Sequence, residues 1–319
     1  MTELFSLCEP AEKSSRAALE WDVIASLSQP RKALSSRWLY DRAGSELFEE
    51  ITRIPEYYPT RVETAILRAH AGDIAKFAGD SAVLLEYGAG AGIKTELVLK
   101  ALREPCAYVP IDIAQDFLAH VAARYQSAFP GLLVAPILSD FTSRFEIPTQ
   151  VPADNRLGFF PGSTIGNLDT DQAVQFLAQL RVHAGAGGRA VIGADMKKDI
   201  NILIAAYDDK AGVTARFNLN LLTRLNRELE SNFDVELFRH SARWNESNSA
   251  IEMHLESLSD QRVKVAGRIF EFSTGETIHT ETSRKYDIND FTELAAAGGW
   301  EVAHVWKDDL GLFSVFGLA

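Results

Sequence analysis

Apolar residues recur at three- to four-residue spacing over 12–28 (Leu19, Val23, Ile24, Leu27) and over 44–53 (Leu47, Phe48, Ile51). That is the period of helices buried along one stripe. Between them lies S-S-R-W-L-Y-D, aromatic and without period. After I-P-E-Y-Y-P-T-R the helical period returns over 61–78, with Ile66, Leu67, Ile74 and Phe77 on one side. The pattern then changes. S-A-V-L-L-E-Y-G at 81–88 is a continuous apolar run stopped by glycine, which predicts a strand covered on both faces. A helix at 93–103, the strand A-Y-V-P-I-D at 107–112 and a helix at 114–127 (Phe117, Leu118, Val121, Tyr125) follow. Next come the strands L-L-V-A-P-I-L-S-D at 132–140 and R-L-G-F-F-P-G-S at 156–163, a helix at 170–183 and the strand G-R-A-V-I-G-A-D at 188–195. Strands alternating with helices predict a parallel, doubly wound sheet, because parallel neighbours need crossover connections.

The end of the chain breaks that rule. W-E-V-A-H-V-W-K-D at 300–308 and G-L-F-S-V-F-G-L-A at 311–319 are two strand-like runs joined by a turn too short for anything but an antiparallel hairpin. The expected fold is therefore α/β, a mostly parallel sheet whose last strand enters in reverse. That architecture resembles the class I S-adenosylmethionine-dependent methyltransferases, which are Rossmann-like. Residues 199–285 stand outside the repeat. They open on a helical stretch with A-A-Y-D-D and L-L-T-R-L-N-R-E-L-E, then alternate in A-I-E-M-H-L-E-S, where Ile251, Met253 and Leu255 share one face. R-V-K-V-A-G, R-I-F-E-F and E-T-I-H-T-E-T-S extend this into a small antiparallel sheet. The expected organisation is a cofactor domain over 30–198 plus 286–319, with 199–285 inserted as an α+β substrate domain to which the helix within 1–29 attaches.

Composition narrows the partners. Hydrophobic residues are 46% and charged residues 24% of 319, enough apolar surface to exclude a disordered chain. Lys and Arg number 32 against 44 Asp and Glu, a net charge of −12 that repels polyanions, so neither nucleic acid nor an anionic membrane is expected as partner. Two cysteines, Cys8 and Cys106, make no disulfide framework, and seven scattered histidines without H-E-x-x-H give no metal site. No early apolar core marks a signal peptide, and no run approaches the roughly 20 residues of a membrane span. A cytoplasmic monomer acting on a small molecule is expected.

The loop E-Y-G-A-G-A-G at 86–92 leaves a strand and opens a helix, where glycines let the backbone approach a ligand. The dinucleotide fingerprint needs a third glycine at 93, which is Ile; Glu86, Gly88 and Gly90 instead match the E-x-G-x-G loop of methyltransferases. Asp112 ends the next strand, where a carboxylate accepts ribose hydroxyls or, alternatively, caps the following helix. Asp140 and Phe141 follow the third strand, suited to an adenine amino group and ring. Ligands of open α/β sheets sit at such carboxyl ends.

Longer motifs carry a resemblance. W-L-Y-D (38–41), I-P-E-Y-Y-P-T-R (54–61), E-Y-G-A-G-A-G-I-K-T (86–95), P-G-S-T-I-G-N-L (161–168), A-Y-D-D (206–209) and G-V-T-A-R-F-N (212–218) occur in this order. The chain resembles the histidine-specific N-α-methyltransferases of ergothioneine biosynthesis over nearly its whole length. The resemblance implies that Tyr40, Gly88, Lys94, Asp112, Asp140, Phe141 and Gly162 contact S-adenosylmethionine. It implies that Tyr57, Asn167 and Tyr207 hold the carboxylate and amino group of histidine, that Glu281 and Ser283 read the imidazole, and that Met253 lies beside it. Position 282 is Thr, where a bulkier residue is expected from the best-known members of the family.

The residues agree in kind. An acceptor at 281 and a hydroxyl at 283 engage two ring nitrogens, and in a strand both point to one face. On spacing alone each residue has a plainer role: a solvated sheet face for Glu281 and Ser283, a helix cap for Asn167, packing for Tyr57, Tyr207 and Met253. The expected chemistry is methyl transfer to the α-nitrogen, repeated three times to hercynine, with Tyr40, Tyr57 and Asn167 orienting the amine. The alternative is an N-methyltransferase of another amino acid or aromatic amine. An NAD-dependent oxidoreductase is disfavoured by Ile93 and the terminal hairpin, and a non-catalytic binding module by the retained Tyr57, Asn167 and Tyr207.

Overall fold

The computed structural model describes residues 11–89 and 92–319; Cys8 and Gly90 of the sequence reading lie outside the described residues. Along the chain come α1 (Ala11–Leu27), α2 (Arg42–Ile51), α3 (Pro59–Ala69), α4 (Ala71–Ala78), β1 (Val83–Tyr87), α5 (Ile93–Ala101), β2 (Ala107–Asp112) and α6 (Gln115–Ala128). The short β3 (Leu133–Val134) and β4 (Ile137–Leu138) precede β5 (Arg156–Phe160), α7 (Thr170–Ala184), β6 (Arg189–Asp195), α8 (Ile200–Tyr207) and α9 (Val213–Leu229). Then follow β7 (Phe238–Asn245), β8 (Ala250–Ser257), β9 (Gln261–Val265), β10 (Arg268–Phe272), β11 (Thr277–Arg284), α10 (Ile288–Ala297), β12 (Val302–Lys307) and β13 (Phe313–Leu318).

These elements form two compact units. One holds the described residues up to Tyr57 with Ile200–Asn245 and Ile251–Thr282; the other holds Tyr58–Asp199, Glu246–Ala250 and Ser283–Ala319. Residues 30–57, expected with the sheet, therefore lie with the inserted segment. The cause is polar as well as apolar. Arg224 of α9 donates to the Trp38 carbonyl at 2.8 Å, and Asn220 and Arg227 donate to the Asp41 carboxylate at 2.8 and 2.7 Å. Asp41 also caps α2 by accepting from Gly44 N at 2.8 Å. In the same unit β11-β8-β7 form a three-stranded sheet and β9–β10 an antiparallel hairpin.

The second unit contains the expected sheet, in the order β12-β13-β6-β5-β1-β2-β3, with β4 also on β2. Pairing is parallel from β6 through β5, β1 and β2 to β3 and β4; β13 runs antiparallel to both β6 and β12. Val83, Leu85 and Tyr87 of β1 pack with Phe176, Leu177 and Leu180 of α7, while Leu84 packs with Ile66 and Leu67 of α3, Val98 of α5 and Val121 of α6. Helices thus cover both faces, which is why the strands are continuously apolar. Two expectations change in detail. The run 132–140 is split into β3 and β4 around Pro136, which has no amide hydrogen for the ladder. The helix expected over 61–78 breaks at His70 into α3 and α4.

Candidate functional site

In the second unit the order β5-β1-β2 with β4 beside β2 sets four carboxyl ends in a row. Gly162 follows β5, Gly88 follows β1, Asp112 ends β2 and Asp140 follows β4. Chain order reverses at β1, whose neighbours are β2 and β5, and such a reversal opens the crevice where ligands of these sheets bind. Gly88 has φ +74° and Gly162 φ +85°, a conformation that side chains strain to adopt. The position a Cβ would take at Gly88 has the Phe141 ring 4.0 Å away, so Phe141 lies beside the glycine loop. Phe141 also meets the rings of Phe160 and Phe176 edge-on at 5.2 and 5.7 Å.

Two buried acidic side chains support this edge. Glu63 of α3, 1% exposed, accepts from the Gly162 amide at 2.9 Å and pairs with Lys94 of α5, so it ties together two of the expected cofactor residues. Glu86 accepts from the hydroxyls of Thr95 and Tyr108; burial pushes its carboxyl up to about 8 despite those bonds. Asp112 accepts from Ala114 N at 2.9 Å, and burial raises its carboxyl too. Ala114 is the N-cap residue of α6 and its side chain makes no cap bond; the Asp112 carboxylate takes the amide of that residue. Asp140 closes a local turn by accepting from Thr142 N and Oγ1 at 2.9 and 2.6 Å. A glycine-edged cradle with carboxylates at two strand ends, an aromatic ring and an ammonium fits a cationic nucleoside with an amino-acid tail. Six of the seven expected cofactor residues stand here; Tyr40 belongs to the other unit.

There Tyr40 meets the rings of Phe48 and Phe217 at 5.6 and 5.5 Å, and Tyr57 meets Phe48 and Tyr207 at 6.1 and 6.0 Å. Burial raises the Tyr40 hydroxyl well above its ordinary range, and the nearby Glu281 carboxylate, Tyr57 and Tyr207 add to this. Tyr40, Tyr57, Tyr207 and Glu281 are therefore brought together. Tyr207 is held through its carbonyl, to which His240 Nε2 donates at 2.8 Å, while His240 Nδ1 accepts from Asn218 at 2.9 Å. Asp209 caps α9 by accepting from Val213 N and Thr214 N at 3.0 and 2.8 Å. The A-Y-D-D and R-F-N motifs are thus one piece of local scaffolding.

Strand β11 carries Glu281 and Ser283, the expected imidazole contacts, in an unexpected way. Its alternation lapses at Thr280 and Glu281, both buried, so burial that falls on 278 and 280 continues on 281 and 283. Glu281 is 8% and Ser283 3% exposed, which removes the solvated-face reading. Ser283, in the second unit, accepts from Lys285 Nζ at 2.8 Å. The turn Thr164–Asn167 presses on the next residue, since a Cβ at Gly166 would lie 2.7 Å from the Arg284 carbonyl. Asn167 does not cap α7, whose cap is Asp169 with Gln172. Met253 is 1% exposed.

Sequence reasoning missed Glu63, Asp195 and Lys285. Glu63 left one trace, an acid among the apolar positions Val62, Ile66 and Leu67. Asp195 and Lys285 lie 2.8 Å apart but 90 residues apart in sequence, and no local pattern joins them.

A family profile described as histidine-specific methyltransferase, SAM-dependent, matches residues 19–319. The histidine N-alpha-methyltransferase of Mycobacterium tuberculosis (strain CDC 1551 / Oshkosh) is 39% identical over 310 residues, covering 95% of each chain. Ergothioneine biosynthesis protein 1 of Neurospora crassa is 27% identical, over 89% of this chain and 33% of its own length. Among solved structures, an S-adenosylmethionine-dependent methyltransferase from Clostridium acetobutylicum ATCC 824 aligns with a TM-score of 0.47 at 12% identity, over 86% of this chain and 97% of its own.

Proposed function

The chain belongs to the histidine-specific, S-adenosylmethionine-dependent methyltransferases, and on that premise we propose that it methylates the α-nitrogen of L-histidine three times, yielding hercynine for ergothioneine biosynthesis. It is an enzyme of methyl transfer with a small-molecule substrate. Among the described residues no helix is long and apolar enough to cross a membrane.

Bound S-adenosylmethionine supplies a methyl group made electrophilic by the sulfonium. Gly88, Lys94, Asp112, Asp140, Phe141 and Gly162 would hold it, with Tyr40 as a further contact. The amine must be neutral to present a lone pair. Tyr40 does not serve as its base, because burial and the Glu281 charge keep the phenol protonated. Tyr40, Tyr57 and Asn167 orient the amine instead, Tyr207 assists with the carboxylate, and the proton leaves to water. Alignment supplies most of the acceleration. Neutral hydrogen-bonding partners can be released as methyl groups accumulate, whereas a carboxylate salt bridge would hold the nitrogen still. The aromatic rings around Tyr57 tolerate the final quaternary charge.

The observation that carries the choice of imidazole is the burial of a carboxylate and a hydroxyl two residues apart on β11. A ligand without matching nitrogens would strand those groups. Mass spectrometry after incubation with S-adenosylmethionine and all common amino acids tests the reading. Gain of three methyl groups by histidine alone is expected; methylation of another amino acid with histidine untouched overturns it.

A further inference from the structure

Ser283 stands at the end of a buried polar chain within the second unit. Its Oγ accepts from Lys285 Nζ, and the same ammonium lies 2.8 Å from Asp195 Oδ2. The side chains of Lys285 and Asp195 are both 0% exposed. Tyr58 donates its hydroxyl to Asp195, 2.8 Å from either carboxylate oxygen, and Lys198 pairs with the same carboxylate while donating to Tyr58 Oη at 2.5 Å. Ser163 Oγ accepts the Asp195 amide at 2.9 Å. Burial pushes the Asp195 carboxyl up, but the two ammonium groups overcome that and hold it below its usual range. Lys285 is thus a buried cation paired with a buried anion, and it donates to Ser283.

An ammonium has donors only, so its contact with Ser283 consumes a lone pair of the hydroxyl. It also polarises the O–H bond, strengthening Ser283 as donor and weakening it as acceptor. We propose that Lys285, anchored by Asp195, is a specificity-determining positioning residue that makes Ser283 a hydrogen-bond donor to the substrate ring. The inference rests on the histidine reading above. A neutral imidazole has one N–H and one bare nitrogen. Ser283 serves the bare nitrogen, and the Glu281 carboxylate serves the N–H. An imidazolium carries N–H on both sides, so one of them would face a polarised donor with a cation behind it. An indole or phenyl ring offers the donor nothing in its plane. Through Lys285, Ser283 is linked to Asp195 and Lys198, from β6 and the segment after it, and to Tyr58 at the start of α3.

The test is calorimetric affinity for histidine, with S-adenosylhomocysteine present, between about pH 5.5 and 8 for the unaltered enzyme, Ser283→Ala, Lys285→Met and the double variant. In the unaltered enzyme Kd should rise about tenfold per unit below the ring pKa near 6.5. Each single variant should weaken binding about tenfold at pH 8 and flatten the acid limb, and the double variant should be no weaker than the singles. An acid limb unchanged in Lys285→Met, or losses that add, overturns the inference. If Lys285→Met does not fold, Ser283→Ala decides alone, since it removes one oxygen: an unchanged acid limb overturns the proposal. Failure of the unaltered enzyme to bind histidine at any pH, with S-adenosylhomocysteine still bound, would strike the histidine reading itself.

Discussion

A carboxylate in the position of Glu281 is costly to bury, and the cost has to be met by hydrogen bonds to the charged form. Its field already acts on the Tyr40 hydroxyl. Under the proposed function a substrate N–H adds to that support in the complex. Replacing the residue should therefore act on histidine and leave the glycine-edged cradle alone. Glu281→Ala is expected to weaken histidine binding by tenfold to a hundredfold, about 1.4–2.8 kcal/mol, with S-adenosylhomocysteine affinity within about twofold of the original. Calorimetry on the two ligands separately reads both quantities. Histidine turnover unchanged in this variant would remove Glu281 from the site. Residue identity at 281 and 283 was visible in the sequence, and so was their common face. Their burial was not, because it depends on the lapse in alternation at 280–281.

At the level of elements, helices and strands mostly follow their periodicity, and the departures have local causes. Pro136 divides a strand because it lacks a donor, and His70 ends α3 before α4 begins. Asp41 shows how one residue of a recognisable motif serves an element and its surroundings together: it caps α2 and receives Asn220 and Arg227 of α9. W-L-Y-D pointed to function, yet its aspartate is structural. Asp41→Ala should destabilise the protein by about 1–2 kcal/mol through the lost cap. Asp41→Asn keeps an acceptor for Gly44 and should recover most of that loss. Urea unfolding of both variants measures the difference, and equal midpoints for Asp41→Ala and the unaltered protein would show that the cap contributes nothing.

Stability of the whole molecule is linked to Glu86. The folded chain keeps a proton on this carboxyl up to about pH 8, whereas an unfolded chain releases it near 4.5. Burial is the main cause, partly offset by bonds from Thr95 and Tyr108. Between those values the native state binds more protons than the unfolded one, so stability falls as pH rises through the window. The contribution is whole below about 4.5 and gone above about 8. Glu86→Gln is neutral at every pH and escapes the loss. The difference in Tm, variant minus original, should therefore grow in the variant's favour from pH 5 to pH 8 in a thermal scan. A difference independent of pH would mean that Glu86 is ionised in the folded protein across this range.

The parallel sheet, its reversed last strand and the glycine loop could all be read from the chain, because each is set by neighbours a few residues apart. Continuous apolar runs mark strands covered on both faces, and a short turn leaves the hairpin no other sense. The motif order pointed to the family for the same local reason. What joins Glu63 to Lys94 and Gly162, and Lys285 to Asp195 and Tyr58, has no such local sign. Buried charges must find partners wherever the fold brings them, and those partners come from segments far apart in sequence. Tertiary packing also assigned residues 30–57 to the unit of α9 and made Ser283 a neighbour of an ammonium. Hydrogen-bond direction depends on that neighbour, and a sequence records only that a hydroxyl is there.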